Sequence, residues 1–492
     1  LIPKADGGRV DMENEDMKRL SPLLTDYYQL TMMQGYHSSG LNARQACFDI
    51  FFRRHPFNGG FTIAAGLDDA IGFLEGLRFS EEDLDYLQQS GNFNPEFLEY
   101  LAGMRFTGDV WAAPEGTVVF PLAPFVRISG SLDQLQLVES ALLNIINFQT
   151  LVATKSARIC QEAGEGNVME FGLRRAQGFD GAMSATRAAY IGGCAATSNV
   201  AAARALGIPA RGTHAHAWVT AFSDELAAFR KFVELYPANA VLLVDTYDTL
   251  NSGVPNAIKV AHEMESRGEK LIGVRLDSGD LAFLSMETRR MLDEAGLEYV
   301  DIMCSSELDE HIIHDLRIQG AKINAYGVGT RLVTADGDPS LTGVYKMAAI
   351  MDEQGQWRMT MKKAEGLKKS TLPGVKQVYR LYDRKGEMVA DMVELEDFPP
   401  DFTQPVRGVH PVIDSAYKVY EDVARVEPML APVMKGGQVV APRPGMAAIR
   451  ARVKSQMACL HPTMRRLLNP HEYKVSLGPK LYELTKKMRG TI

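Results

Sequence analysis

The sequence predicts an α/β protein built around a parallel (β/α) barrel of irregular outline, with a doubly wound sheet as the alternative topology. Three observations predict it. Short apolar runs recur through the middle of the chain: VMEFG, IPARGT, AVLLVD, LIGVRLD, YVDIMCSS and INAYGVGT. Helix-like stretches such as ATSNVAAARALG, AIKVAHEMESRG and LAFLSMETRRMLDEAG separate them. Near-continuous apolar strands spaced by amphipathic helices are the pattern of buried βαβ units. Third, polar and charged residues crowd at the ends of the apolar runs, where a parallel barrel places its ligand site.

The elements follow in order. Residues 1–20 form a polar extension that carries no fold argument. Residues 21–151 read as an α/β domain. LLTDYYQLTMMQGYHSSG is a helix with Thr25 or Asp26 as its N-cap and a stop near Gly40. CFDIFFRR is a strand, and VWAAPEGTVVF and FVRISG are shorter ones set off by Pro and Gly. LDDAIGFLEGL and LDQLQLVESALLNIINFQTLVATKSARICQEAG are helical. Residues 152–341 hold the βαβ pattern and are the expected catalytic domain. Residues 342–492 open with GVYKM, pass through the basic KKAEGLKKSTLPGVK, and reach a strand-like VYRLYD. The Pro-rich joints DFPPDF, VEPMLAPV and APRPG then lead to a helical end rich in Arg and Lys.

Composition excludes several classes. The chain has 492 residues, 46% hydrophobic and 23% charged, as an ordinary globular protein does. At about 150 residues per domain, roughly three domains or subdomains are expected. Lys plus Arg number 53 against 61 Asp plus Glu, a net −8, so extended nucleic-acid binding is not expected. A local pocket can still hold a small phosphorylated ligand. Cys47, Cys160, Cys194, Cys304 and Cys459 are scattered and form no C-x-x-C pair. That argues against a zinc site or a disulfide framework and fits a reducing compartment. Neither a long apolar run nor a signal-like start occurs in the sequence, so a cytoplasmic protein without a membrane span is expected.

The chemistry-bearing residues stand at the run ends. Arg174 and Arg175 follow VMEFG, and Thr213, His214 and His216 follow IPARG. Asp245 ends AVLLVD, and Arg275 precedes the turn Asp277, Ser278, Gly279 and Asp280. Ser305 and Ser306 end YVDIMC; Gly327 and Gly329 end the last run. In a barrel all of these converge on one mouth. The DSGD turn can hold ribose hydroxyls or a hydrated Mg²⁺, with Asp277 and Asp280 as the metal candidates. The alternative is a helix N-terminus with Ser and Asp as caps. The GVGT turn offers backbone N–H groups to an anion, or simply marks a turn. The basic loop between Lys362 and Lys376 is either solvated surface or a pyrophosphate contact. His214 and His216 lack a third ligand at zinc spacing. In a phosphate-lined mouth, a His serves as general base or as nucleophile toward a phosphoryl group, unless it is buried and hydrogen-bonded.

With these residues in view, the chain resembles the nicotinate phosphoribosyltransferase family from about Leu23 to Leu481. The matching segments are LLTDYYQLTM, FFRRHPF with AAGL, LVATKSARI, MEFGLRRAQG, GTHAHAWVTAF, LLVDTYDT with SGVPN, GVRLDSGDL, INAYGVGT, GVYKM and the Lys-Ser-Thr-Leu-Pro-Gly-Val-Lys loop. Each is weak alone, but the full set in this order is specific. The resemblance implies a type II phosphoribosyltransferase: an α/β N-terminal domain, a barrel-like centre, and a C-terminal part that packs back on the first. It also implies a homodimer with sites near the subunit interface. The implied reaction joins nicotinate to phosphoribosyl pyrophosphate, giving nicotinate mononucleotide and pyrophosphate. It is coupled to ATP hydrolysis through a phosphorylated His and needs Mg²⁺.

By position, the resemblance puts the nicotinate site on Tyr28, Thr213 and Arg275 and the phosphohistidine on His216. Thr371 falls on the phosphoribosyl-side Thr of the basic loop. Asp245 and Asp277 join His216 as catalytic candidates. Arg174, Ser278, Gly279, Asp280, Gly327, Gly329 and Lys369 join Thr371 as candidates for phosphoribosyl pyrophosphate. The family pattern Gly-Thr-any-Ala-His selects His216 over His214. An extended segment would set the two roughly 6.5–7 Å apart on one side, with His216 the deeper. Ala217 departs from the polar residue common after the phosphorylated His, and a second His stands at position 214. The rival readings are transfer to nicotinamide or quinolinate, a nucleotide-binding barrel without turnover, and a barrel aldolase. The last lacks a strand-end Lys placed for a Schiff base.

Overall fold

The computed structural model describes residues 20–362 and 370–490, arranged around three sheets of six or seven strands and one two-stranded ribbon. Apart from Leu20, the polar extension lies outside the described residues.

The first large sheet is antiparallel and draws on distant parts of the chain. Its order is Trp357–Met359, Gly343–Met351, Gln45–Phe52, Val126–Ser131, Asp109–Ala112, Ala431–Lys435 and Gln438–Val439. Gln45–Phe52 is a central strand, and every residue after Gln45 is buried on one face or the other. That explains its continuous apolar run, each large side chain contributing about 1.5–3 kcal/mol by leaving water. The first helix spans Tyr27–Ser38 behind Asp26, whose carboxylate accepts from Ser140 Oγ at 2.6 Å instead of capping its own helix. The segment from Leu132 forms two helices, Leu132–Leu137 and the 25-residue Glu139–Ala163. The longer one buries cations as well as apolar groups. Lys155 Nζ and Arg158 Nε reach the buried Glu310 at 2.7 and 2.9 Å, joining this helix to Glu310–Ile318. Removing one member of such a group would strand a buried charge.

The second sheet is parallel and holds the expected βαβ units. Its order is Ala196–Thr197, Asn167–Glu170, Ala325–Val328, Asp301–Cys304, Gly273–Leu276 and Val241–Leu243. The first strand in the chain, Asn167–Glu170, pairs with the last, Ala325–Val328, through Val168↔Tyr326. That pairing belongs to a barrel and removes the doubly wound alternative. The barrel is nevertheless not closed: the sheet is a curled half-barrel, open between Ala196–Thr197 and Val241–Leu243. The run IPARGT, expected as a strand there, makes only an isolated bridge from Ala210 to Thr197. Pro209 has no N–H to give a ladder, and the chain then passes as loop into the helix His216–Thr220.

The third sheet runs Tyr417–Tyr420, Val406–Val409, Lys474–Leu477, Met388–Leu395, Lys376–Tyr382 and Arg425–Pro428. Its anchor is Arg380, fully buried, with two 2.8 Å bonds to Asp391 and a third, of 2.7 Å, to the Val118 carbonyl. Among the described residues, no helix is long and apolar enough to cross a membrane.

Candidate active site

The strand ends of the half-barrel bring Thr213, Asp245, Arg275, Asp277 and Ser278 into one hydrogen-bonded group, with His216 beside it. Arg275 lies on Gly273–Leu276, between Leu243 and Met303 of the neighbouring strands. Its side chain is only 15% exposed, and three of its N–H groups are engaged. Nε donates to Ser305 Oγ at 2.7 Å, Nη1 to Thr213 Oγ1 at 2.9 Å and Nη2 to Asp277 Oδ1 at 2.8 Å. A guanidinium has five N–H donors, so two remain for a ligand. The Phe171 ring lies beneath it, 5.7 Å from the guanidinium carbon. Gly327 has no side chain because that ring is in the way: a Cβ would stand 2.7 Å from Phe171 and 3.0 Å from Met303.

Asp277 also accepts from the Ser305 hydroxyl. Burial pushes its carboxyl up, but Ser305, Arg275 and His216 more than offset that and hold it below the ordinary carboxylate value. It is therefore ionised at neutral pH. Asp245 organises the turn after it: Oδ2 accepts the Asp277 N–H at 2.9 Å and the Ser278 hydroxyl at 2.6 Å. Its Oδ1 is buried with no partner. Gly279 takes φ +80°, which a side chain would strain, and Asp280 caps Leu281–Glu294 by accepting from Phe283 N at 3.1 Å. The DSGD turn is thus a helix start as well as a strand end.

The two histidines differ in surroundings, and the expected depth is reversed. His214 is the deeper, 6% exposed, with its ring 4.8 Å from that of Phe232 and its Nε2 accepting from the Leu243 N–H at 3.1 Å. Burial holds it down to about 4, so it is neutral. His216 is more open because the segment turns into a helix at this residue instead of staying extended. Its Nδ1 lies 3.2 Å from Thr246 Oγ1 and its Nε2 3.9 Å from Asp277 Oδ2. Such a ring, oriented on one nitrogen and without a hydrogen bond on the other, can act as a nucleophile or shuttle a proton. Burial, aided by the Asp245 charge, pushes the nearby Cys304 thiol up to about 12, so it is no thiolate nucleophile.

The other expected residues lie variously. Arg174 is exposed on the turn Leu173–Arg175, and Gly329 starts the short helix Thr330–Val333. Tyr28, 51% exposed, lines a separate cavity of about 550 Å³ with Asp26, Glu139 and Ser140. Thr371 is buried, its hydroxyl accepting from Lys362 N at 2.9 Å. Lys369 lies outside the described residues. Sequence reasoning noticed Ser305 without giving it a role, and missed Thr246 and Phe171. Thr246 follows Asp245 directly and Phe171 follows the strand Asn167–Glu170, so strand-end position alone was the available signal.

The donor set bears on Mg²⁺. Asp277 is taken by Arg275 and Ser305, and Asp280 by its helix. Among the described residues, no group of three or more His, Cys, Asp or Glu is placed to hold a metal ion. These residues suit a Mg²⁺ that takes most of its ligands from phosphates and water: Asp277 and Asp280 are each engaged through Oδ1 alone, and Asp245 has a buried Oδ1 without a partner.

Comparison with known proteins adds independent findings. Residues 23–147 match the model of the nicotinate phosphoribosyltransferase N-terminal domain, 167–349 that of the nicotinate phosphoribosyltransferase family, and 375–485 that of the C-terminal domain. The chain is 43% identical to nicotinate phosphoribosyltransferase of Bacillus subtilis (strain 168), covering 93% of this chain and 92% of that one. It is 36% identical to the Homo sapiens enzyme of that name, over 95% and 96% of the two chains. The crystal structure of human nicotinic acid phosphoribosyltransferase superposes with a TM-score of 0.81 at 34% identity, covering 94% of this chain and 99% of the other.

Proposed function

The chain belongs to the nicotinate phosphoribosyltransferase family, and from that premise we propose how its mouth residues carry the reaction. The activity is transfer of a phosphoribosyl group to nicotinate, a step of NAD biosynthesis and salvage. The observation that carries the assignment is Arg275, fixed by Thr213, Ser305 and Asp277 with two N–H groups left over. Those N–H groups grip the nicotinate carboxylate, and the clamp aims the ring nitrogen at C1 of the ribose. The pyridine nitrogen is already nucleophilic, so no strong base is required.

Bond breaking at C1 has oxocarbenium character, and negative charge builds on the departing pyrophosphate. Donors around that charge stabilise the transition state more than the ground state. Arg174, Ser278, Gly279, Gly329 and the basic loop with Lys369 and Thr371 are the candidates for that role. Mg²⁺, held chiefly by the pyrophosphate with Asp245, would supply further neutralisation. Asp277 holds Arg275 in place and faces His216. Asp280 and Gly327 have structural duties that explain them without a ligand.

ATP enters as co-substrate, with His216 as the residue phosphorylated. Its Thr246 contact and its half-exposed ring support this, and the burial of His214 speaks against that residue. Tyr28, exposed and apart from the mouth group, suits a homodimer in which one copy offers this tyrosine to the other. The division into an N-terminal domain, the half-barrel and a C-terminal region belongs to the same reading. Strands 343–359 and 431–439 in the first sheet support a C-terminal part that completes the N-terminal one.

The test is a product assay with nicotinate, phosphoribosyl pyrophosphate and Mg²⁺, with and without ATP. Nicotinate mononucleotide should form, faster with ATP, and nicotinamide and quinolinate should compete poorly. Preference for nicotinamide would overturn the clamp, and preference for quinolinate would overturn the choice of substrate.

A further inference from the structure

The third sheet carries a cavity of about 300 Å³ over Val406–Val409, Tyr417–Tyr420 and Lys474–Leu477. Two lysines from different strands, the partly buried Lys418 and the exposed Lys474, line it together. Among the described residues, neither has a carboxylate within ion-pair distance; Glu472, the one acid lining the cavity, is exposed and pairs with neither. Burial and then the Lys474 charge lower the Lys418 ammonium from its ordinary value. Two cations that share one cavity without a carboxylate partner give it a positive field that an anion would neutralise.

The rest of the lining matches an anion with an apolar body. The Nδ1 of His410 accepts the N–H groups of Val412 and Ile413, both at 3.1 Å, which leaves Nε2 to carry the proton and donate. The Tyr420 ring, on the same strand face as Lys418, adds aromatic surface, with Lys418 Nζ 5.4 Å from its centre. Gly408 lies in the lining because a side chain would strike its neighbours: a Cβ would come within 2.7 Å of the Tyr420 ring and 2.6 Å of Ser476. We infer that this cavity is a second ligand site. It takes a small organic anion whose phosphate or carboxylate sits between Lys418 and Lys474 and whose apolar body lies against Tyr420. Nothing in it belongs to the transfer reaction, so it stands or falls apart from the mouth.

The test titrates phenyl phosphate, and separately benzoate, into the full chain by calorimetry. The wild type is compared with the double variant Lys418→Gln, Lys474→Gln. Any binding at the mouth is common to both proteins, so the difference reports this cavity. One binding event per chain should weaken at least tenfold in the double variant for at least one probe. The probe that responds tells a phosphate site from a carboxylate site. Nicotinate transfer without the probes should be unchanged. Relief of like-charge repulsion should also raise the Tm of unliganded Lys418→Gln while its probe-induced Tm shift disappears. Equal isotherms in the two proteins would overturn the site. A lower Tm for unliganded Lys418→Gln would overturn the argument that the pair is held against its own repulsion.

Discussion

The ring of His216 is held from one side by Thr246, with Nδ1 and the threonine Oγ1 3.2 Å apart. When the hydroxyl accepts from Nδ1–H, Nε2 keeps its lone pair and faces the mouth, where a phosphoryl group would arrive.

ATP should therefore leave an acid-labile phosphate on the chain. His216→Ala should remove both that label and the ATP stimulation, while slow ATP-independent transfer survives. Thr246→Val removes one ordinary hydrogen bond, about 0.5–1.5 kcal/mol, so labelling should slow roughly two- to tenfold. A label that persists in His216→Ala and vanishes in His214→Ala would reverse the assignment.

Arg275→Ala should weaken use of nicotinate by one to two orders of magnitude, since a charge-assisted contact is worth about 1.5–3 kcal/mol. Nicotinamide has no carboxylate and should lose less. Steady-state kcat/KM for both pyridines measures the difference. Equal losses would mean that the residue only braces Thr213, Ser305 and Asp277.

His214 ties stability to pH. Burial chiefly, with Arg275 and His216 adding to it, holds the folded value down to about 4 from 6.5, and the contact to the Ala215 carbonyl opposes only part. The unfolded chain thus binds the proton more readily, and the contribution is complete above about pH 6.5 and lost as pH falls toward 4. That difference is worth roughly 3 kcal/mol. Denaturation midpoints should rise between pH 4 and 6.5, and His214→Gln should flatten the rise. His55, which burial lowers to about 3, should keep a residual slope in that variant. An unchanged slope would rule out His214 as its source.

Asp245 and Asp280 should separate activity from stability. Asp280→Ala removes an N-cap and should cost about 0.5–2 kcal/mol in chemical denaturation, with Asp280→Ser restoring it. The serine variant should turn over normally. Asp245→Asn should fold, because an amide oxygen still accepts from Asp277 N and Ser278, yet lose at least tenfold in kcat. Loss of turnover in a stable Asp280→Ser would instead make that carboxylate a ligand.

The legible part of the site was what lies at strand ends. LIGVRLDSGD shows a buried run breaking into charge, which is how Arg275 and Asp277 were found. The hidden part was the partner of each group. Nothing local says that Ser305, thirty residues on, would reach the Arg275 Nε, or that Phe171 would lie beneath it. Those contacts exist because parallel pairing sets Met303 beside Arg275, and Ala325–Val328 beside Asn167–Glu170.

The sequence by itself determined the alternation of strand and helix, the α/β class and the crowding of functional groups at one end of the strands. Hydrophobic period and turn chemistry are local, so they are written where they act. Only the tertiary structure decided that the barrel stays open, since Pro209 matters only if its neighbour Thr197 seeks a full ladder. It alone decided which histidine faces the mouth. The residues at 214 and 216 share a residue type and nearly a position, and their difference is one of solvation. Phe232 and the Leu243 N–H close over His214, whereas the helix start at His216 leaves that ring in the open. Burial is a property of packed elements, and no reading of neighbours along the chain supplies it.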